Sequence, residues 1–162
     1  MKTMNTNLES YLNHHLAGAE GGYRIAARLA ESATDPAEKI FFHGLRDTIA
    51  EERGSLEEMI IDAEFEVKTL QKVTGAAASR ISLWGMAMEG SDNGDLGRFE
   101  MVELLAIGIH GKHLLWKIMR NLSLTSPFWN EHDFEKLTEN AAGQEASIEI
   151  YRTQEAGRVF AE

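Results

Sequence analysis

Apolar side chains recur every three or four residues along five stretches of this chain. A step of three or four returns to the same face of an α-helix, so each stretch predicts an amphipathic helix that buries one stripe. The sequence lacks the alternating apolar runs bounded by turns that indicate β-strands. The periodicity therefore predicts an all-α fold.

The ends of the predicted helices are marked by capping residues and by the two prolines, Pro36 and Pro127. Proline suits the first turn of a helix, where its missing N–H needs no partner. Capping-box patterns start at Thr6 and Asp35, since each is followed three residues later by glutamate. The predicted helices span about Asn7–Glu31, Pro36–Lys68, Leu70–Met88, Asp95–Leu122 and Glu131–Phe160.

Four of these helices are long and one is shorter. The short link between helices 1 and 2 predicts an antiparallel hairpin. Roughly 30 residues separate helices 2 and 4, enough to run the length of a bundle as in ferritin-like folds, although a simple up-and-down order also fits. Helix 4 is apolar on more than one side, which predicts a central position. We expect one domain over residues 1–162, an antiparallel four-helix bundle of ferritin-like type with one additional shorter helix.

Glycines occur inside two of the predicted helices, although each costs about 1 kcal/mol relative to alanine. They are Gly18, Gly21 and Gly22 in helix 1, with Gly108 and Gly111 in helix 4. The segment GAEGGY follows no predicted strand and opens no helix, so it does not fit a dinucleotide-binding loop. Because small residues let helices approach closely, we expect a neighbour to cross helix 1 here, with helix 4 as the candidate.

Composition excludes several classes of function. The chain has 26 acidic and 16 basic side chains and a formal net charge of −10, which opposes binding to nucleic acid and to a membrane surface. Without cysteine it has no disulfide, thiolate nucleophile or cysteine-ligated metal. A polar amino terminus predicts an unprocessed cytoplasmic protein. No phosphate loop or serine-nucleophile motif appears, so no catalytic residue and no cofactor is predicted.

One carboxylate is predicted to point into the core. Glu52 lies on the apolar stripe of helix 2 and needs a cation, a metal or a donor such as His15 or His113. A ferritin-like di-metal centre needs Glu-x-x-His on two helices, whereas Ser55 follows Glu52 and Ile148 follows Glu145 at that spacing. A single iron or manganese ion is the alternative prediction. Its candidate ligands are Glu20 or His15, Glu52, and Glu103 or His110, with Glu145 and Glu149 as further inward carboxylates.

The chain resembles a group of small uncharacterised bacterial helical-bundle proteins of ferritin-like type. The resemblance is carried by YLNHHLAGAEGG in helix 1, IAEERGSLEEM in helix 2 and GIHGKHLLWKIM in helix 4. It covers most of the chain and implies a ferritin-like bundle in a bacterial cytosol. The group has no assigned activity, so the resemblance implies no catalytic residue.

Two functions follow as hypotheses. The first is a non-catalytic protein-interaction or structural module, forming a homodimer or binding another protein through apolar surface of helix 3 or helix 5. The second is a ferritin-like metal carboxylate protein that binds iron or manganese through Glu20, Glu52, Glu103 and His110 and handles oxidants. Loss of bound metal on Glu52→Gln substitution would favour the second.

Overall fold

The computed structural model describes residues 5–69, 72–73, 75–89 and 94–161. Within these ranges every long element is helical and no β-strand forms, which confirms the all-α prediction. None of the described helices carries an apolar stretch long enough to cross a lipid bilayer. The elements are α1 (Thr6–Ser32), α2 (Pro36–Asp62), α3 (Ala76–Glu89), α4 (Gly94–Ser123), a 3-10 turn (Pro127–Trp129) and α5 (Phe134–Phe160).

Side-chain caps start α1 and α2. Asn5 accepts a hydrogen bond from the Leu8 backbone N–H at 3.1 Å, so Asn5 caps α1 and the prediction of a cap at Thr6 is wrong by one residue. Asp35 accepts from the backbone N–H two residues further on at 2.9 Å, and Pro36 is the first residue of α2, as predicted. The cap at Asp35 satisfies a donor that has no partner inside the helix.

The start of α5 lies later than predicted. Pro127 opens only the 3-10 turn, and Asp133 then caps α5 by accepting from the Lys136 backbone N–H at 3.0 Å. Asn130 ends the 3-10 turn, and the Asp133 side chain supplies the cap for the next helix, so α5 begins at Phe134 rather than Glu131. The predicted start of helix 3 at Leu70 lies outside the described residues, and α3 begins at Ala76.

The first compact unit, residues 1–92, contains α1, α2 and α3. Residues 33–35 join α1 to α2, and the two helices pack side by side as the predicted hairpin. The buried apolar positions follow the three-and-four spacing of the sequence. They include Leu12, Leu16, Ile25, Leu29, Phe42, Leu45, Ile49, Leu56 and Met59.

Helix α2 ends at Asp62, earlier than the predicted Lys68. Glu64 adopts a left-handed backbone conformation with φ of 60°, and the Phe65 N–H donates to the Ile60 carbonyl at 3.0 Å. A left-handed residue just past the last turn closes a helix and satisfies its terminal carbonyls. The apolar period continues to Val67, but the backbone leaves the helix before it.

Asn13 of α1 holds the chain that follows α2. Its buried amide nitrogen donates to the Glu9 carbonyl at 3.0 Å and to the Glu66 carbonyl at 2.9 Å. Its amide oxygen accepts from the Lys68 backbone N–H at 2.7 Å. One side chain therefore satisfies two backbone groups that lie beyond the end of α2.

The glycines of α1 make room for α3. A Cβ added at Gly21 would lie 2.5 Å from Cε3 of Trp84, and one added at Gly22 would lie 3.4 Å from Cζ3 of the same ring. The predicted close approach is confirmed at Gly21 and Gly22, but the neighbour there is the Trp84 side chain of α3 and not the predicted helix 4. At Gly18 an added Cβ would meet nothing within 4 Å.

The second compact unit, residues 93–162, contains α4, the 3-10 turn and α5. Helices α4 and α5 pack along their length as a second hairpin. The ferritin-like arrangement and the single domain over residues 1–162 stay predictions. The buried apolar residues of this unit include Phe99, Val102, Leu105, Ile109, Leu115, Trp116, Met119, Trp129, Phe134, Ala141 and Ile148.

Candidate functional site

Two imidazoles of α4 meet one carboxylate of α5. His110 and His113 are three residues apart on α4, which places them on the same side of the helix. Nδ1 of His110 lies 2.6 Å from Oε1 of Glu145, and Nδ1 of His113 lies 2.9 Å from Oε2. The His110 side chain is 63% exposed, whereas those of His113 and Glu145 are 18% and 28% exposed. The cluster therefore lies at the edge of the α4–α5 contact and opens to solvent at His110.

The two imidazoles stabilise the ionised form of Glu145. Burial alone would raise the pKa of this carboxyl, but the hydrogen bonds from His110 and His113 and their charges outweigh it and lower the pKa. An ionised carboxylate can only accept hydrogen bonds, so each Nδ1 carries the proton in this arrangement. One negative charge and two nitrogen atoms thus converge on one point of the surface.

Two further polar contacts tie α4 to α5. Next to the cluster, Lys112 donates to the side-chain oxygen of Gln144. Further along, Arg152 of α5 donates to Glu149 on its own helix at 2.7 Å and to Glu103 of α4 at 3.1 Å. These acceptors raise the pKa of Arg152 above its usual value, chiefly through the hydrogen bond to Glu149. These contacts join α4 to α5 beside the cluster and further along the two helices.

In the first unit, the predicted ligand Glu20 is bound by arginine. Oε1 of Glu20 lies 2.9 Å from Nε of Arg24, and Oε2 lies 2.6 Å from Nη1 of Arg53 on α2. Both carboxylate oxygens therefore serve an ion-pair network between α1 and α2. Glu52 is buried, with 8% of its surface exposed, as the stripe on helix 2 predicts.

In the second unit, the predicted ligands Glu103 and His110 have different partners. Glu103 pairs with Arg152, whereas His110 joins His113 and Glu145 in a group whose ligand atoms all lie within 4.8 Å of one another. The sequence named Glu145 as an inward carboxylate but named His113 only as a possible donor to Glu52. The sequence does contain a signal for the pair His110 and His113, namely the His-x-x-His spacing in GIHGKH. The Glu-x-x-His pattern of ferritin-like centres does not include this spacing. The iron or manganese set Glu20, Glu52, Glu103 and His110 stays a prediction.

Helix α4 also carries apolar side chains that face solvent. Ile107, Leu114 and Ile118 are 62%, 45% and 46% exposed. With the half-buried Leu104 and with Gly111 they follow the three-and-four spacing of one helix face. This set, which we name the α4 stripe, is the second apolar side that the sequence indicated for helix 4.

Function can therefore be sought in two features of the second unit, the His–Glu–His cluster and the α4 stripe. Comparisons of the chain with protein-family models, with curated proteins and with solved structures gave no match.

Proposed function

We propose that this protein is a non-catalytic helical module that acts through protein contacts, and that its α4 stripe pairs with the same stripe of a second copy. The observation that carries this proposal is the row of exposed apolar side chains at Ile107, Leu114 and Ile118. Monomeric proteins expose single apolar residues commonly, but a continuous row along one helix marks an interaction surface. The sequence favoured helix 3 or helix 5 for this surface, whereas the row lies on α4.

The order of residues in the stripe supports pairing with an identical copy. If two α4 helices lie antiparallel with their two-fold axis near Gly111, Ile107 falls opposite Leu114 and Leu104 falls opposite Ile118. Each apolar residue of one copy then contacts an apolar residue of the other, as a self-complementary two-fold interface requires. A Cβ added at Gly111 would meet nothing within 4 Å in this chain, so the glycine leaves space for a second helix at the axis.

Charges flanking the stripe favour the same antiparallel arrangement. The amino-terminal half of α4 carries Glu100 and Glu103, and the carboxyl-terminal half carries Lys117 and Arg120. Within the chain, Glu103 pairs with Arg152 and Arg120 pairs with Glu135. The exposed Glu100 and Lys117 therefore supply the charges for pairing with a second copy. Antiparallel pairing about Gly111 brings the acidic half of one copy beside the basic half of the other. Parallel pairing would instead place like charges together, so electrostatics selects the antiparallel register.

The buried area sets the strength of the expected dimer. Full burial of a leucine or isoleucine side chain contributes about 1.5–3 kcal/mol. The three exposed residues of the stripe are about half exposed, so six such side chains across the interface contribute roughly 6 kcal/mol in total. Association itself costs about 4–15 kcal/mol. With the association cost at the low end of this range, about 2 kcal/mol remains in favour of pairing, which is less than the roughly 4 kcal/mol of a millimolar complex. We therefore expect a weak dimer that forms only at high protein concentration.

The ferritin-like arrangement and the cytoplasmic location predicted from the sequence are compatible with a protein-interaction module. The two hairpins, α1–α2 and α4–α5, supply the four long helices that a ferritin-like bundle requires. We propose that arrangement as the scaffold of the module. We also propose a cytoplasmic location, which suits an acidic chain without cysteine.

Sedimentation equilibrium of the full chain across a wide range of concentrations tests the proposal. The wild type should dimerise reversibly, and Leu114→Glu should remain monomeric because it places a charge at the centre of the paired stripes. Ile40→Glu is the matched control, since Ile40 on α2 is 74% exposed and lies outside the stripe. A wild type that is monomeric at every concentration, or a dimer that Leu114→Glu leaves intact, overturns the proposal.

A further inference from the structure

We propose that His110, His113 and Glu145 bind one late first-row divalent metal ion, of the Zn²⁺, Cu²⁺, Ni²⁺ and Co²⁺ class. The proposal does not rest on dimerisation, because all three side chains belong to one α4–α5 hairpin. It also differs from the iron or manganese set predicted from the sequence, with which it shares only His110.

The three side chains need little movement to coordinate an ion. Their ligand atoms lie within 4.8 Å of one another, and the two Nδ1–carboxylate distances are 2.6 and 2.9 Å. A tetrahedral ion at about 2.0–2.1 Å from each ligand spaces neighbouring ligand atoms about 3.4 Å apart. Each imidazole nitrogen therefore has to move away from its carboxylate oxygen by about 0.5–0.8 Å, the difference between about 3.4 Å and the observed 2.9 and 2.6 Å, which side-chain torsions can supply without moving either helix.

The ligand types select the metal. Imidazole nitrogen suits zinc, copper and nickel, whereas calcium and magnesium prefer oxygen ligands. A set of two histidines and one glutamate leaves a fourth tetrahedral position open. His110 is 63% exposed, so this open side faces water and an ion can enter from solvent.

The environment holds the ligands in place for a cation. The two oxygens of Glu145 each face one imidazole nitrogen, so all three prospective ligands already point at a common place. The adjacent Lys112 donates to the side-chain oxygen of Gln144. Metal binding replaces the two Nδ1 protons that face Glu145, and a neutral imidazole can carry its proton on Nε2 instead.

Isothermal titration calorimetry of the full chain with Zn²⁺ tests this assignment. We expect one ion per chain. Each of His113→Gln and Glu145→Gln should weaken binding by roughly tenfold or more, since even changes next to ligands cost about that much. His14→Gln is the matched control, because His14 is an exposed histidine on α1. Circular dichroism of each variant shows whether the helices remain intact.

Two further measurements separate this site from other sources of binding. Co²⁺ should give the visible absorption of a low-coordinate nitrogen and oxygen site, whereas Ca²⁺ should not compete with it. Absence of Zn²⁺ and Co²⁺ binding overturns the assignment, as does binding that both His113→Gln and Glu145→Gln leave unchanged. Loss of metal in Glu52→Gln alone would also overturn it and favour the carboxylate set predicted from the sequence.

Discussion

Replacing Asn13 should reveal how strongly α1 holds the chain that follows α2. The side chain is fully buried and makes three hydrogen bonds, two of them to the backbone of Glu66 and Lys68. In Asn13→Ala all three are lost. The Glu66 carbonyl and the Lys68 N–H are then left in a partly buried place without their partner.

The expected loss follows from those bonds. Each intramolecular hydrogen bond contributes about 0.5–1.5 kcal/mol net, and a buried polar group without a partner costs about 1–3 kcal/mol. Water reaches the partly buried Glu66 and Lys68 backbones in the variant, so the low end of the second range applies. We expect Asn13→Ala to lower the free energy of unfolding by about 2–4 kcal/mol.

Urea denaturation followed by circular dichroism measures this loss, and amide hydrogen exchange locates it. The Lys68 amide should exchange faster in Asn13→Ala than in the wild type. His14→Ala is the control, since surface substitutions usually change stability by less than about 0.5 kcal/mol. A loss below about 1 kcal/mol, or an unchanged exchange rate at Lys68, would refute the role given to Asn13.

The structure also predicts whether two other changes, glycine substitution in α1 and ionisation of Tyr11, raise or lower the stability of the protein. Gly21→Ala should destabilise the protein because its Cβ would lie 2.5 Å from the Trp84 ring, whereas Gly18→Ala should stabilise it by about 1 kcal/mol through helix propensity. Thermal unfolding of the two variants checks this, and equal shifts would contradict the contact with Trp84. Burial raises the pKa of Tyr11, so its contribution to stability is present at neutral pH and is lost as pH rises through that raised pKa. Tyrosinate absorbance should show a late-titrating tyrosine that Tyr11→Phe removes, and an unchanged titration curve would contradict the assignment.

The helices and much of the core could be predicted because their signals are local. A three-and-four apolar period and a cap at Asp35 depend on neighbouring residues, and the structure places them as expected. The end of α2 could not be predicted in this way. The period continues to Val67, but Asn13, more than fifty residues earlier in the chain, binds the backbone of Glu66 and Lys68 instead.

Periodicity also could not tell which apolar side of helix 4 is buried. Leu105 and Ile109 are buried, whereas Ile107 and Leu114 follow an equally regular spacing and are exposed. A helix pattern reports that a face is apolar, not that this chain covers it. The α4 stripe therefore becomes visible as a surface only when its exposure is known.

For the candidate ligands, sequence spacing likewise does not reveal which charged or polar partner each carboxylate has. Sequence spacing identified Glu20, Glu103 and Glu145 as carboxylates on inward or flanking positions, but it placed Glu20 and Glu103 in the metal set and left Glu145 outside it. The structure pairs Glu20 and Glu103 with arginines, and it pairs Glu145 with two imidazoles. An arginine stays protonated and occupies a carboxylate permanently, whereas a neutral imidazole can exchange its proton for a metal. What distinguishes a helix-joining ion pair from a metal site is thus the partner on the other helix, and for Glu145 that partner lies more than thirty residues away.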